Sequence, residues 1–182
     1  MSKRAIIVVD LQNEYLATGK LPLVGIDAAT ANAERVIADA RAKGVRVLHV
    51  RHESASSDAP IFVPGSDGVR IMAAVAPIGD EPVIVKNHVN SFRDTDLKQQ
   101  LEARGIEDVV VIGAMSHMCV DAVVRAAADV GYAVTVLHDA CATRDLEFNG
   151  VVAPAAQVHA AMMASFEFGY GRVLATDAYL AG

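Results

Sequence analysis

Tryptophan is absent from this chain, and 5 Phe and 4 Tyr bring the aromatic share to only 5%. So few rings give no basis for a platform on which successive bases stack. Basic residues are also the minority, 16 Lys and Arg against 22 Asp and Glu, for a formal charge of −6. They are scattered, with no basic stripe to neutralise a phosphate backbone, and no nucleic-acid partner is expected. Cysteine occurs twice, at Cys119 and Cys141, too sparsely for a disulfide framework. Apolar runs break well short of the roughly 20 residues that a membrane-spanning helix needs, so no membrane association is expected. No segment of signal-peptide type, charged then apolar then small, opens the chain. With thiols expected to stay reduced, a cytoplasmic location is expected.

What is present is a chain of 182 residues, 53% hydrophobic and 21% charged. That length is expected to form a single domain, residues 1–182, able to bury a core without disulfide or metal staples. Short runs rich in Val and Ile alternate with longer alanine-rich stretches of helical period. The first run, Arg4-Ala5-Ile6-Ile7-Val8-Val9, is almost continuously apolar, as a strand covered on both faces is. Further strands are expected at 45–50, 82–85, 108–112, 133–137 and 172–174, and helices at 26–43, 94–104, 118–130 and 151–165. Gly44, Gly105 and Gly131 each stand between a helical stretch and a strand, where a left-handed cap reverses the chain. The repeating β-α-β order predicts a three-layer αβα fold around a six-stranded, mostly parallel sheet. Residues 53–81 break the alternation. With Ser56, Ser57, Pro60, Pro64, Gly65 and Gly68, they read as a long connection with one short helix near 69–75. A long loop after a strand is a common place for ligand contacts.

Ligands of an open parallel sheet bind beyond the carboxyl ends of its strands. Those ends here are Asp10, Arg51 with His52, Lys86, Gly113, and His138 with Asp139. After the fourth strand, Gly113-Ala114-Met115-Ser116-His117-Met118-Cys119-Val120 turns into a helix whose first residues include Cys119. A helix N-terminus and a nearby lysine both favour a thiolate. A carboxylate close to both can take the thiol proton and deliver it to a leaving group, and free N–H groups of the turn can receive an oxyanion. The same residues also have plainer readings. Asp10 can cap a turn, Lys86 can snorkel to the surface, and Cys119 can pack as a small hydrophobe. Cys141, within Asp139-Ala140-Cys141-Ala142-Thr143-Arg144, has neither a helix start nor a lysine beside it and is expected to pack.

Four segments, in order, resemble the isochorismatase-like cysteine hydrolase superfamily, and the resemblance spans nearly the whole chain. Ile6-Ile7-Val8-Val9-Asp10-Leu11-Gln12-Asn13-Glu14-Tyr15 is similar to its first strand with its aspartate and glutamine. Val85-Lys86-Asn87-His88-Val89-Asn90-Ser91-Phe92 is similar to its lysine motif, Gly113 to Val120 to its nucleophile turn, and Asp139 to Arg144 to the segment after its fifth strand. The resemblance implies a catalytic triad, with Cys119 as nucleophile, Asp10 as the group that takes and returns the proton, and Lys86 as the cation that supports the thiolate. It implies a cis peptide at Ala114–Met115, which aims the backbone N–H of Met115, with that of Cys119, at one oxyanion position. It also implies a homodimer or homotetramer acting on a small molecule, with no cofactor.

Two departures bear on the substrate. Nicotinamidases of the superfamily hold a metal with an Asp-x-His and further histidines after the second strand. Here that place reads Val50-Arg51-His52-Glu53-Ser54-Ala55. His49 and His52, three apart on a strand, point to opposite faces, so no metal is expected. Isochorismatase chemistry, the cleavage of a vinyl ether, needs protonation of an alkene more than it needs a nucleophile, and members that perform it can lack the cysteine. With Cys119, Asp10 and Lys86 all present, the leading expectation is hydrolysis of a C–N bond in an amide, lactam or carbamoyl compound through a thioester. Vinyl ether hydrolysis is the alternative. A non-catalytic nucleotide-binding α/β domain fits less well, because Asp10-Leu11-Gln12-Asn13 lacks a glycine-rich turn. Substrate contacts are expected from Gln12, Tyr15, Phe62, Phe92 and His117, with Pro64, Gly65 and Ser66 close by. Core packing is the alternative for Phe92, and a solvent-facing position for His117.

Overall fold

The computed structural model describes residues 3–182 of the chain. Its strands are β1 (Arg4–Val9), β2 (Arg46–His52), β3 (Val83–Lys86), β4 (Asp108–Ala114), β5 (Ala133–Ala142), β6 (Leu146–Phe148), β7 (Val151–Ala153) and β8 (Arg172–Leu174). Its helices are α1 (Ile26–Ala42), α2 (Leu97–Glu102), α3 (Cys119–Asp129), α4 (Ala155–Gly169) and α5 (Thr176–Leu180). Six strands form one sheet in the order β3-β2-β1-β4-β5-β8, and every neighbouring pair is parallel. This is the three-layer α/β architecture expected from the β-α-β order.

The apolar continuity of β1 follows from burial on both sides. Ile6 and Val8 pack into a core with Ala33, Val36 and Ile37 of α1. Ala5, Ile7 and Val9 pack into a second core with Leu97 and Leu101 of α2, Val120 and Val123 of α3 and Phe166 of α4. Each fully buried Val or Ile side chain contributes about 1.5–3 kcal/mol, so central strands made of these residues hold the sheet between its helical layers. Gly44, Gly105 and Gly131 take positive φ (65°, 62° and 98°) where each helix gives way to a strand. Among the described residues, no helix is long and apolar enough to cross a membrane.

The expected helix at 151–165 is corrected by the structure. Val151–Ala153 is strand β7, paired antiparallel with β6, and the helix begins only at Ala155. Asn149 and Gly150 both adopt positive φ (51° and 76°), the geometry of a tight type I′ hairpin turn that Asn-Gly favours. Pro154 then separates hairpin from helix, since it has no N–H to continue a strand ladder and its φ of −58° suits a helix start. The expected helix at 94–104 is shorter, Leu97–Glu102, and the one near 69–75 is a 3-10 turn at Ala73–Val75.

Candidate active site

The chain runs from β1 outward to β2 and β3, and from β4 outward to β5 and β8, so the carboxyl ends of the adjacent β1 and β4 form the topological switch point. Asp10 follows β1 directly and is wholly buried. It sits at φ +50°, a left-handed conformation that aspartate tolerates, and its N–H donates to the Val50 carbonyl at 3.0 Å. Lys86 is the last residue of β3 and only 1% exposed. Cys119 is the first residue of α3, reached from β4 through a turn in which the Ala114–Met115 peptide is cis. That turn is held to β5 by the Ser116 N–H donating to the Ala142 carbonyl at 3.0 Å. The backbone N–H groups of Met115 and Cys119 donate to no backbone carbonyl.

These residues meet at the ammonium of Lys86. Its Nζ lies 2.8 Å from Asp10 Oδ2, 3.3 Å from Cys119 Sγ and 3.1 Å from His52 Nδ1. A lysine ammonium has three N–H donors and no acceptor, so Nδ1 of His52 accepts, while the Asp10 carboxylate faces the ammonium as an ion pair and neither of its oxygens meets hydrogen-bond geometry. Burial pulls the Lys86 pKa down, but the Asp10 carboxylate and the contact with Cys119 outweigh it and hold the group above its ordinary value, as a cation. Burial pushes the Cys119 thiol well up, Asp10 adds to this, and Lys86 opposes it only in part. Depth and the adjacent carboxylate thus work against the thiolate that the lysine and the helix start favour.

Cys119 opens onto a cavity of about 260 Å³ lined by Tyr15, His52, Phe62, Val89, Met115 and Met118, among others. Phe62 meets Tyr15 edge-on at 5.3 Å and His52 at 5.1 Å. Burial, followed by the charges of Asp10, Cys119 and Glu14, pushes the Tyr15 phenol well above its ordinary value, so it stays protonated. Burial and then Lys86 lower the His52 pKa, which keeps the imidazole neutral and free to accept from Lys86.

Of the five residues expected to contact substrate, Tyr15 and Phe62 line this cavity and Gln12, Phe92 and His117 do not. Gln12 is a strut: Nε2 donates to the carbonyls of His52 (2.8 Å) and Val69 (3.0 Å), and Oε1 accepts the His52 N–H (2.8 Å). Phe92 stacks on Tyr132 at 6.4 Å and packs against the core beneath α3. His117 Nδ1 lies 2.6 Å from Thr143 Oγ1, turned toward the segment after β5. From the long loop it is Ser54, Ala59, Pro60, Ile61 and Phe62, not Pro64, Gly65 and Ser66, that reach the cavity. Cys141 is enclosed, its thiol pushed up to about 12 by burial.

Two residues were missed as parts of the site. The sequence reads His52 as a strand-end residue and as a candidate metal ligand but not as a partner of Lys86, and its register opposite Lys86 on the neighbouring strand carries that signal. Buried Glu14 accepts the Phe62 N–H at 2.8 Å and anchors the loop. A Cβ at Gly68 would lie 2.3 Å from its Oε2, so the loop packs directly on this carboxylate. The donors do not fit a metal ion. The Nδ1 lone pair of His52 is taken by Lys86, and His49 is locked to Glu81 Oε2 at 3.0 Å elsewhere. Among the described residues no group of three or more His, Cys, Asp and Glu is gathered to hold one.

A parallel three-layer sheet with a cysteine, a carboxylate and an ammonium gathered at its switch point defines an α/β enzyme of the hydrolase class. The chain belongs to the isochorismatase family of hydrolases: the model of the isochorismatase domain matches residues 4–177. It is 42% identical to the isochorismatase family protein YddQ of Bacillus subtilis, over 97% of this chain and 98% of that one. A solved isochorismatase hydrolase structure from Oleispira antarctica superposes with a TM-score of 0.95 at 49% identity, covering 98% and 96% of the two chains. The N-carbamoylsarcosine amidase of Thermoplasma acidophilum superposes with a TM-score of 0.82 at 27% identity, covering 97% and 98%.

Proposed function

We propose that the protein is a cysteine-dependent amidohydrolase that cleaves the C–N bond of a small amide, lactam or carbamoyl compound through a thioester. The observation that carries this reading is the reach of one buried ammonium, Lys86 Nζ, to both Asp10 (2.8 Å) and Cys119 Sγ (3.3 Å) at the mouth of a cavity. Structural likeness to an amidase supports the choice of bond.

In the forward step Sγ attacks the carbonyl carbon while its proton passes to Asp10. The oxygen that becomes negative accepts the N–H groups of Met115 and Cys119, which have no backbone acceptor of their own. Lys86 balances the charge that moves between Asp10 and Sγ. Collapse breaks the C–N bond as Asp10 hands its proton to the leaving nitrogen, and the acyl group remains on sulfur. Water then gives a proton to Asp10 and adds to the thioester. A second collapse releases the acid and returns the proton to Sγ.

The test is a panel of small amides, lactams and N-carbamoyl compounds assayed for ammonia or acid release, with intact-protein mass spectrometry to detect the acyl-enzyme. Cys119→Ala is expected to lower turnover about a thousandfold or more with the thermal midpoint little changed. Full activity in that variant rules the mechanism out.

A further inference from the structure

The cavity beside Cys119 constrains what it can admit. At about 260 Å³ it lies below the roughly 300–1,000 Å³ of pockets for drug-sized ligands. Its wall is mostly hydrocarbon and aromatic, from Leu21, Pro60, Ile61, Phe62, Val89 and Met118. The polar groups on it are the Tyr15 phenol, the Ser54 hydroxyl and the His52 ring, and no Asp, Glu, Lys or Arg lines it among the described residues. The two charges of the site lie beneath Cys119, fully buried and paired with each other at 2.8 Å. At the end of β2, Arg51 is already paired with Glu53 at 2.7 Å. An ionised substituent entering here loses its hydration and meets no countercharge, and a buried unpaired charge is among the costliest arrangements in a protein.

We infer that the group accepted beside Cys119 is compact and uncharged, an apolar carboxamide or lactam whose only strongly polar atoms are those of the scissile bond. The same scaffold bearing a carboxylate or ammonium next to that bond is refused. This inference rests on the cysteine amidohydrolase reading and adds the substrate class to it. Shape and charge divide the labour: the amide oxygen is met by backbone N–H groups, and the rest of the acyl portion by a wall that is mostly apolar and carries no charged side chain among the described residues.

The test needs no known substrate. Iodoacetamide and iodoacetate differ chiefly in charge, and their rates at Cys119, read by peptide mass spectrometry, are normalised to free cysteine. Iodoacetamide is expected to react at least about tenfold faster after normalisation. A ratio of one or below overturns the inference. Ser54→Arg, which puts a cation on the cavity wall without touching Asp10, Lys86 or Cys119, is expected to bring the ratio to within about threefold; an unchanged ratio counts against it. With turnover in hand, a neutral lactam should exceed its carboxylated counterpart at least about a hundredfold in kcat/KM, and parity overturns the inference. If neither reagent labels Cys119, or Cys119→Ala turns over the lactam like the wild type, the cysteine reading itself fails and this inference falls with it. Equal labelling by both reagents removes only the uncharged-substrate inference.

Discussion

Lys86 accepts nothing and meets three polar groups, and the third, His52, whose Nδ1 accepts from it, is the one with no role in the thioester chemistry. Its place is to hold the ammonium between Asp10 and Cys119. Removing it leaves a buried N–H unpaired, at a cost of about 1–3 kcal/mol, which corresponds to roughly a 10–100-fold loss in kcat. His52→Ala is expected to show that loss, and His52→Asn, whose side-chain oxygen can accept the same N–H, to recover most of it. Equal loss in both variants contradicts a positioning role. At this level the sequence was informative about residue types and silent about state. Asp10, Lys86 and Cys119 could be picked out because each stands at the end of a strand or the start of a helix. The upward push on the thiol could not, because it depends on depth, and depth comes from segments packed around the cysteine rather than from its neighbours in the chain.

The turn from β4 into α3 depends on Gly113. A Cβ there would lie 2.0 Å from the Val9 carbonyl oxygen, at a φ of +131°. Gly44 has positive φ (65°) but open space around its Cβ position, and so isolates the conformational cost. Gly44→Ala is expected to cost about 1–2 kcal/mol and Gly113→Ala about 3 kcal/mol or more, measured by urea unfolding. Equal losses would show that the approach of β4 to β1 adds nothing. Strands and long helices were readable from period alone, since burial on two faces leaves continuous apolar runs and burial on one leaves a 3.6-residue pattern. The β6–β7 hairpin was not read, because Val151 and Val152 sit next to an alanine-rich stretch whose period masks the Asn149-Gly150 turn signal. Gln12 and Phe92 were assigned to the substrate by nearness in sequence to Asp10 and Lys86. Packing turned one to the backbone of β2 and the other toward Tyr132.

Acid stability belongs to the whole molecule, since Glu81 ties the loop before β3 to α1 and β2. Burial pushes its carboxyl up, but the Arg41 guanidinium, the Ile78 N–H and His49 more than offset this and hold it at about 2, against 4.5 unperturbed. The folded state therefore binds its proton less readily than the unfolded chain. The stabilisation is fully present above about pH 4.5 and is lost as pH falls toward 2. After solvent screening this amounts to about 1–2 kcal/mol. Glu81→Gln should lower stability at pH 7 by that amount and at pH 3 by less than half of it, as read from urea midpoints at both. An equal effect at both values would remove the carboxylate as the cause. The same division between local and long-range terms runs through the protein. The αβα class and the residue types at the strand ends were readable along the chain, because apolar period and side-chain chemistry are properties of short segments. That Lys86 crosses over His52 to reach Asp10 and Cys119, that no charged side chain among the described residues lines the cavity, and that burial pushes the thiol up follow from strand order and burial. Both arise from contacts between segments tens of residues apart, which no local pattern encodes.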